Sequence, residues 1–265
     1  PNYLFCFLEI FSSEGGIQSY VKDILKAYLS LTAGTNSPPT AEVFLLRDSP
    51  DCQNPFESKN LKFSYLKTHP VWFGRLRFAA KILIHLVQKR PQRVFCGHIN
   101  LAPLIQTLCQ PLGIPYTILT YGKEVWETLP PKYQRAMSQA DRIWTISRYT
   151  RDSLRDSFAS RSCESNQLNP DKFHIVPCIV DENIFTIGPK SEDLLAQYNL
   201  IGAKILMTVA RLRSTDIYKG VDVTIKALPQ IAKTFPNVKY LVIGRGDDRS
   251  RLAQLAADLG VAERV

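Results

Sequence analysis

The amino-acid sequence predicts an α/β protein of parallel sheets covered on both faces and arranged as two successive units, and three observations predict it. Short apolar runs of strand length alternate with amphipathic runs of helix length along the chain. The apolar runs, such as Tyr3–Leu8 and Ile205–Val209, stay far below the about 18 consecutive residues that a spanning helix requires. Gly188-Pro189 interrupts the alternation, which then restarts.

Taken in order, a strand at Tyr3–Leu8 ends in the polar loop Ser12-Ser13-Glu14-Gly15-Gly16, and an amphipathic helix runs on to about Leu31. Strands at Ala41–Leu46 and Lys62–Leu66 follow, then a helix at Arg75–Gln88 and a strand at Arg93–Cys96. The helix Leu101–Leu112 and the strand Tyr116–Thr120 continue the pattern. Arg142–Ile146 is a strand, with Ser147 as the N-cap of a helix to Phe158. The polar segment Ser160–Pro170 is a loop before the strand Lys172–Val176. After the boundary near Gly188 come a helix at Ser191–Asn199, strand Lys204–Val209, helix Val221–Phe235, strand Lys239–Ile243 and helix Arg249–Leu259. This divides the chain into domains at 1–188 and 189–265. Two strands do not complete a doubly wound unit, and Glu263-Arg264-Val265 reads as the lead-in to a third, so the second domain is expected to be truncated.

With 265 residues, 45% of them apolar, the chain can bury one large core or two moderate ones. The six cysteines have no CxxC spacing, and several lie in apolar runs where a thiol acts as a small hydrophobe, which points to a reducing cytoplasm. No signal-peptide pattern opens the chain, and Pro1 suggests a trimmed start. The net charge of +9 suits anionic partners, but the cations are scattered and carry no nucleic-acid motif. Arg75, Arg77, Lys81, Lys89 and Arg90 offer contact with an anionic membrane, the alternative being a solvated helix face.

Three loops could carry chemistry. Gly15 and Gly16 stand between the first strand and a helix N-terminus, where backbone N–H groups favour an anion, although such a pair also serves tight turning alone. Ala210-Arg211-Leu212 and Tyr218-Lys219-Gly220 place a bidentate fork and a mobile point charge near one helix start, where they suit a diphosphate or else form a solvated face. The turn Val242-Ile243-Gly244-Arg245-Gly246 ends a strand at a sheet's carboxyl edge, as a ligand turn or a plain one. It lacks the third glycine of a dinucleotide fingerprint, which counts against a dehydrogenase. His98 reads as a structural hydrogen-bonder, Asp48, Asp51, His69 and His174 as ordinary, and no cluster has metal-ligand spacing.

The order of pieces resembles the retaining GT-B-fold glycosyltransferases of family four. They are Glu14-Gly15-Gly16, Gly97-His98, Thr120-Tyr121-Gly122-Lys123-Glu124, Ala140-Asp141-Arg142 leading to Ser147, Val176-Pro177 with Val180-Asp181, Ala210-Arg211-Leu212, Tyr218-Lys219-Gly220 and Val242-Ile243-Gly244. The resemblance implies a complete N-terminal acceptor-side Rossmann-like domain and an incomplete nucleotide-sugar-binding one. It implies transfer of a sugar from a UDP- or GDP-sugar to a hydroxyl acceptor, glycan or lipid-linked, with no metal and no cofactor. Arg211 and Lys219 would grip the diphosphate, Gly15 and Gly16 approach the phosphates, and Gly244 lie near the nucleoside. Tyr121 stands where many members carry histidine, and Glu124 in the same loop either orients a sugar hydroxyl or is an exposed loop carboxylate. The run Pro177-Cys178-Ile179-Val180-Asp181 departs from the family's Pro-Asn-Gly-Val-Asp. The glutamate pair that members carry beyond the second domain's third strand would fall after Val265, so this polypeptide is expected to be inactive, and a non-catalytic glycan- or nucleotide-binding remnant is the alternative.

Overall fold

Alternate residues of the first strand, β1 (Asn2–Phe7), serve two different cores, Leu4 and Cys6 on one face and Phe5 and Phe7 on the other. A strand with both faces buried belongs in the middle of a parallel sheet, and that is where the computed structural model places it. The structure describes residues 2–159 and 168–265. Pro1, Cys163 and the part of the expected Ser160–Pro170 loop at 160–167 lie outside them.

In the order of the chain the elements are β1, α1 (Gly16–Thr32), β2 (Thr40–Leu45), β3 (Leu61–Tyr65), α2 (Val71–Lys89), β4 (Arg93–Cys96), α3 (Ala102–Cys109) and β5 (Tyr116–Thr120). They continue with α4 (Lys123–Trp126), α5 (Pro131–Gln139), β6 (Arg142–Thr145), α6 (Arg148–Ala159) and β7 (Phe173–Ile175). The first seven strands form one sheet in the order β3-β2-β1-β4-β5-β6-β7, every pair parallel. Helix α1 covers one face through Tyr20, Val21 and Leu25, and α2, α3 and α5 cover the other through side chains such as Phe78, Ile82, Ile105 and Met137. Thr150 N–H donates to Ser147 Oγ at 3.1 Å, the expected cap of α6.

The chain divides into two compact units, Pro1–Asp181 and Glu182–Val265, with Gly188-Pro189 in the segment that enters the second. There α7 (Glu192–Gln197) precedes the parallel pair β8 (Lys204–Val209) and β9 (Val238–Ile243), joined by α8 (Val221–Thr234) and followed by α9 (Arg249–Asp258). Ile225, Leu228, Tyr240 and Leu252 make its core. Ala262–Arg264 form a 3-10 turn, where Glu263-Arg264-Val265 are expected to lead into a strand. No helix among the described residues is long and apolar enough to cross a membrane.

Candidate functional site

In the first unit the strand order reverses between β1 and β4, and open parallel sheets form their crevice at the carboxyl ends of such a pair. A cavity of about 160 Å³ lies there, lined among others by Glu9, Gln18, Arg47, His98 and Asn100. Glu9 and Arg47 pair across it at 3.8 Å. His98 Nδ1 accepts from Asn100 N–H at 3.1 Å, so the neutral ring carries its proton on Nε2. Burial lowers the His98 pKa, the Glu124 and Glu9 charges oppose that shift and Arg47 adds to it. The sequence reads His98 as a structural hydrogen-bonder, and its place beside the reversal of strand order becomes visible in the sheet.

Asp48 is fully buried and its carboxylate accepts from Ile10 N–H at 2.6 Å, Ser12 N–H at 2.8 Å and Phe11 N–H at 3.2 Å. An ionised carboxylate satisfied by backbone donors is a strong anchor. It fixes the path from β1 to α1, so Asp48 is a positioning residue rather than an ordinary one. At the end of that path Gly15 N-caps α1 without any side-chain cap, and no acidic side chain occupies the first turn. A Cβ on Gly16 would meet no atom within 4 Å, which leaves open space in front of this helix start.

Tyr121, expected among the substrate-binding residues, follows β5 directly. Its ring is buried against Tyr20 at 5.7 Å, and its hydroxyl donates to the Gly97 carbonyl at 2.7 Å. Burial, and after it the Glu124 charge, push the phenol well above its usual value, so it remains a donor committed to Gly97. Tyr121 therefore holds the end of β4 through Gly97, the residue before His98. Glu124 Oε1 accepts from the N–H groups of Tyr121 and Gly122, which ties the turn that enters the short α4. Gly122 has φ 151°, and a Cβ there would press on the Trp126 ring at 3.1 Å. Trp144 packs on Phe95 at 5.3 Å as a core aromatic.

In the second unit the loops after β8 and β9 run side by side. Ala210 N–H donates to Ile243 C=O at 3.0 Å and Leu212 N–H to Arg245 C=O at 2.9 Å. A Cβ on Gly244 would collide with the Ala210 carbonyl, so the glycine is demanded by backbone approach. Asp247 ties the loops by accepting from Ser214 N–H at 3.2 Å and Ser214 Oγ at 2.8 Å, hydrogen bonds that lower its pKa. These ties bring Arg211, Lys219, Asp216 and Asp222 around one crevice of about 10 Å³, the room of a single water. Arg211 Nη2 lies 3.3 Å from Asp216 Oδ2, and Lys219 Nζ sits over the Tyr218 ring at 4.9 Å. Both cations are exposed beside the start of α8, where Gly220 with φ 74° turns the chain. Arg211, Lys219 and the Gly244 turn thus share one edge, while Gly15, Gly16, Tyr121 and Glu124 belong to the other unit.

A family model for glycosyl transferases group 1 matches residues 192–265. The GDP-mannose-dependent alpha-(1-6)-phosphatidylinositol monomannoside mannosyltransferase of Mycolicibacterium smegmatis is 29% identical over 151 residues, 55% of this chain and 36% of that protein. The GDP-mannose-dependent monoacylated alpha-(1-6)-phosphatidylinositol monomannoside mannosyltransferase of Corynebacterium glutamicum is 25% identical over 252 residues, 92% of this chain and 61% of that protein. The chain therefore spans less than two thirds of either relative. Among solved structures, sucrose-phosphate synthase from Thermosynechococcus elongatus superposes with a TM-score of 0.73 at 15% identity, over 100% of this chain and 69% of that one. Anabaena HepE in complex with UDP gives 0.67 at 16% identity, over 100% and 68%. These likenesses show the fold, GT-B.

Proposed function

We propose, from the premise that this chain is a GT-B glycosyltransferase of group 1, that it serves transfer of a hexosyl group from a nucleotide-diphospho sugar to a hydroxyl acceptor with retention at the anomeric carbon. The observation that carries the proposal is the convergence of Arg211 and Lys219 beside the start of α8, at the carboxyl edge of β8 and β9. A guanidinium fork and an ammonium there match the two charges of a departing diphosphate, whose stabilisation is worth most where charge develops in the transition state. The bond between the anomeric carbon and the diphosphate oxygen breaks, the acceptor oxygen bonds to that carbon, and the acceptor proton passes to the departing oxygen on the same face. Arg211 meets the diphosphate by leaving Asp216, whose Oδ2 is buried beside the exposed guanidinium.

The two mannosyltransferase relatives support a GDP-sugar donor and a lipid-linked acceptor in glycolipid assembly. The open helix start at Gly15 and Gly16 is assigned to the donor phosphates and the His98 crevice to the acceptor. Titration of GDP and UDP by calorimetry tests the donor side. Arg211→Ala and Lys219→Ala should each weaken nucleotide diphosphate binding about tenfold or more, a charge-assisted hydrogen bond contributing about 1.5–3 kcal/mol. Affinity within twofold of the parent in both variants sinks the assignment.

A further inference from the structure

We propose that the first unit carries a carbohydrate-binding platform at Trp126, apart from the crevices described above. An open depression of about 790 Å³ lies between the end of α4 and the body of α6, lined by Trp126, Glu127, Thr128, Ser153, Asp156 and Ser157. None of these side chains lines the His98 or the Arg211 crevice. Helices α4 and α6 follow β5 and β6, whereas the strand order reverses between β1 and β4. The indole is held as a fixed surface. A Cβ on Gly122 would press on it at 3.1 Å, its Nε1–H donates to Thr150 Oγ1 at 3.4 Å, and Tyr149 meets it edge-on with ring centroids 5.3 Å apart. Thr150 N–H donates in turn to Ser147 Oγ, so the cap of α6 also fixes the tryptophan. Trp126 nevertheless stands 36% exposed and Tyr149 65%. A large amphipathic ring that is rigid and still meets water loses little freedom when a ligand covers it.

The lining decides the class of ligand. It holds two carboxylates and three hydroxyls with neither Lys nor Arg, so a phosphate or sulfate finds no countercharge there. An ammonium ligand requires aromatic rings on several sides, and a single indole lines this depression. A neutral pyranose answers both features. Its C–H face stacks on the indole, its hydroxyls donate to Glu127 and Asp156, and its oxygens accept from the serine and threonine hydroxyls. The open mouth admits a chain of sugars instead of enclosing one, which selects a neutral oligosaccharide. This inference goes beyond the sugar-transfer assignment and does not depend on it, since the two share no residue.

Tryptophan fluorescence and calorimetry test it, with α-linked mannotetraose and maltotetraose as the sugars and tetramethylammonium as a cation control. At least one sugar should bind saturably below about 20 mM and shift the emission, and tetramethylammonium should do neither. Trp126→Ala should weaken sugar binding at least about tenfold, and Asp156→Asn about threefold, the amide being a poorer acceptor than the carboxylate. Because Trp126 packs on Gly122, Trp126→Phe guards against misfolding: it should keep the circular dichroism and most of the affinity while losing the emission shift. Failure of both sugars to bind, sugar affinity unchanged in Trp126→Ala and Asp156→Asn, or tighter binding of tetramethylammonium than of either sugar would each overturn the proposal.

Discussion

Gly16 and Gly244 look alike in sequence and differ in what surrounds them. A Cβ at Gly16 meets nothing within 4 Å, whereas at Gly244 it strikes the Ala210 carbonyl and presses on Leu212. Gly16→Ala is therefore expected to leave thermal stability within about 0.5 kcal/mol of the parent, and Gly244→Ala to cost about 2 kcal/mol or more through a forced backbone shift. Denaturant unfolding followed by circular dichroism separates the two, and equal losses would show that the α1 start is not open. If the phosphates of the donor approach Gly16, the same alanine weakens GDP binding without that loss. That Arg211 and Lys219 line one crevice was legible because both stand in the segment that joins β8 to the start of α8. Asp48 and the Glu9–Arg47 pair were not, because their partners lie on the neighbouring parallel strand's loop, 36 to 38 residues away for Asp48. The bond from the Tyr121 hydroxyl to Gly97 was not legible either, because its partner lies 24 residues away on another strand's loop.

At the scale of elements, α2 seats His85 against β2, with Nδ1 3.6 Å from Glu42 and the ring edge-on to Phe44 at 5.4 Å. Burial lowers the His85 pKa below its ordinary 6.5, Glu42 opposes the shift, Lys81 and Lys89 add to it, and buried Nε2 has no hydrogen-bond partner. The unfolded chain thus takes the proton first as pH falls. The stability held by neutral His85 is complete above about 6.5 and is lost as pH drops through the lower folded value. His85→Phe keeps the aromatic contact, so urea midpoints measured from about pH 7.5 to about pH 5 should slope less than in the parent. Identical slopes would assign acid sensitivity elsewhere. Strands β4, β5 and β8 were legible to the residue, since β-branched and aromatic runs bounded by polar turns leave little freedom of register. Helix α5 escaped the sequence because Pro130-Pro131 looks like a breaker, although proline is well placed at a helix start, and the rest of α5 is mostly polar. Helix α2 starts at Val71, ahead of the expected Arg75, because its first turn is apolar on the outward side as well.

The two units bury their strands unequally, and the polypeptide of residues 1–265 should open unequally as a result. In the first, β1, β4 and β5 are flanked on both sides and covered on both faces, and every side chain of β5 is buried. In the second, β8 and β9 pair only with each other among the described residues, and Met207, Val209 and Ile243 are 62%, 70% and 45% exposed. Amide hydrogen exchange should therefore be slowest in β1, β4 and β5 and markedly faster in β8 and β9, following local opening rather than one global event. Nucleotide then discriminates the site assignment from the fold. At GDP a hundredfold above its dissociation constant, linkage stabilises the unit that binds it by about 2.7 kcal/mol, a slowing of about 100-fold for amides exposed only when that unit unfolds. If Arg211, Lys219 and the Gly244 turn hold the diphosphate, the slowing falls on residues 204–220 and 238–248 while β4 and β5 keep their rates. Protection confined to β1, β4 and the start of α1 would instead move the donor to the His98 crevice and remove the second unit's cations from the reaction.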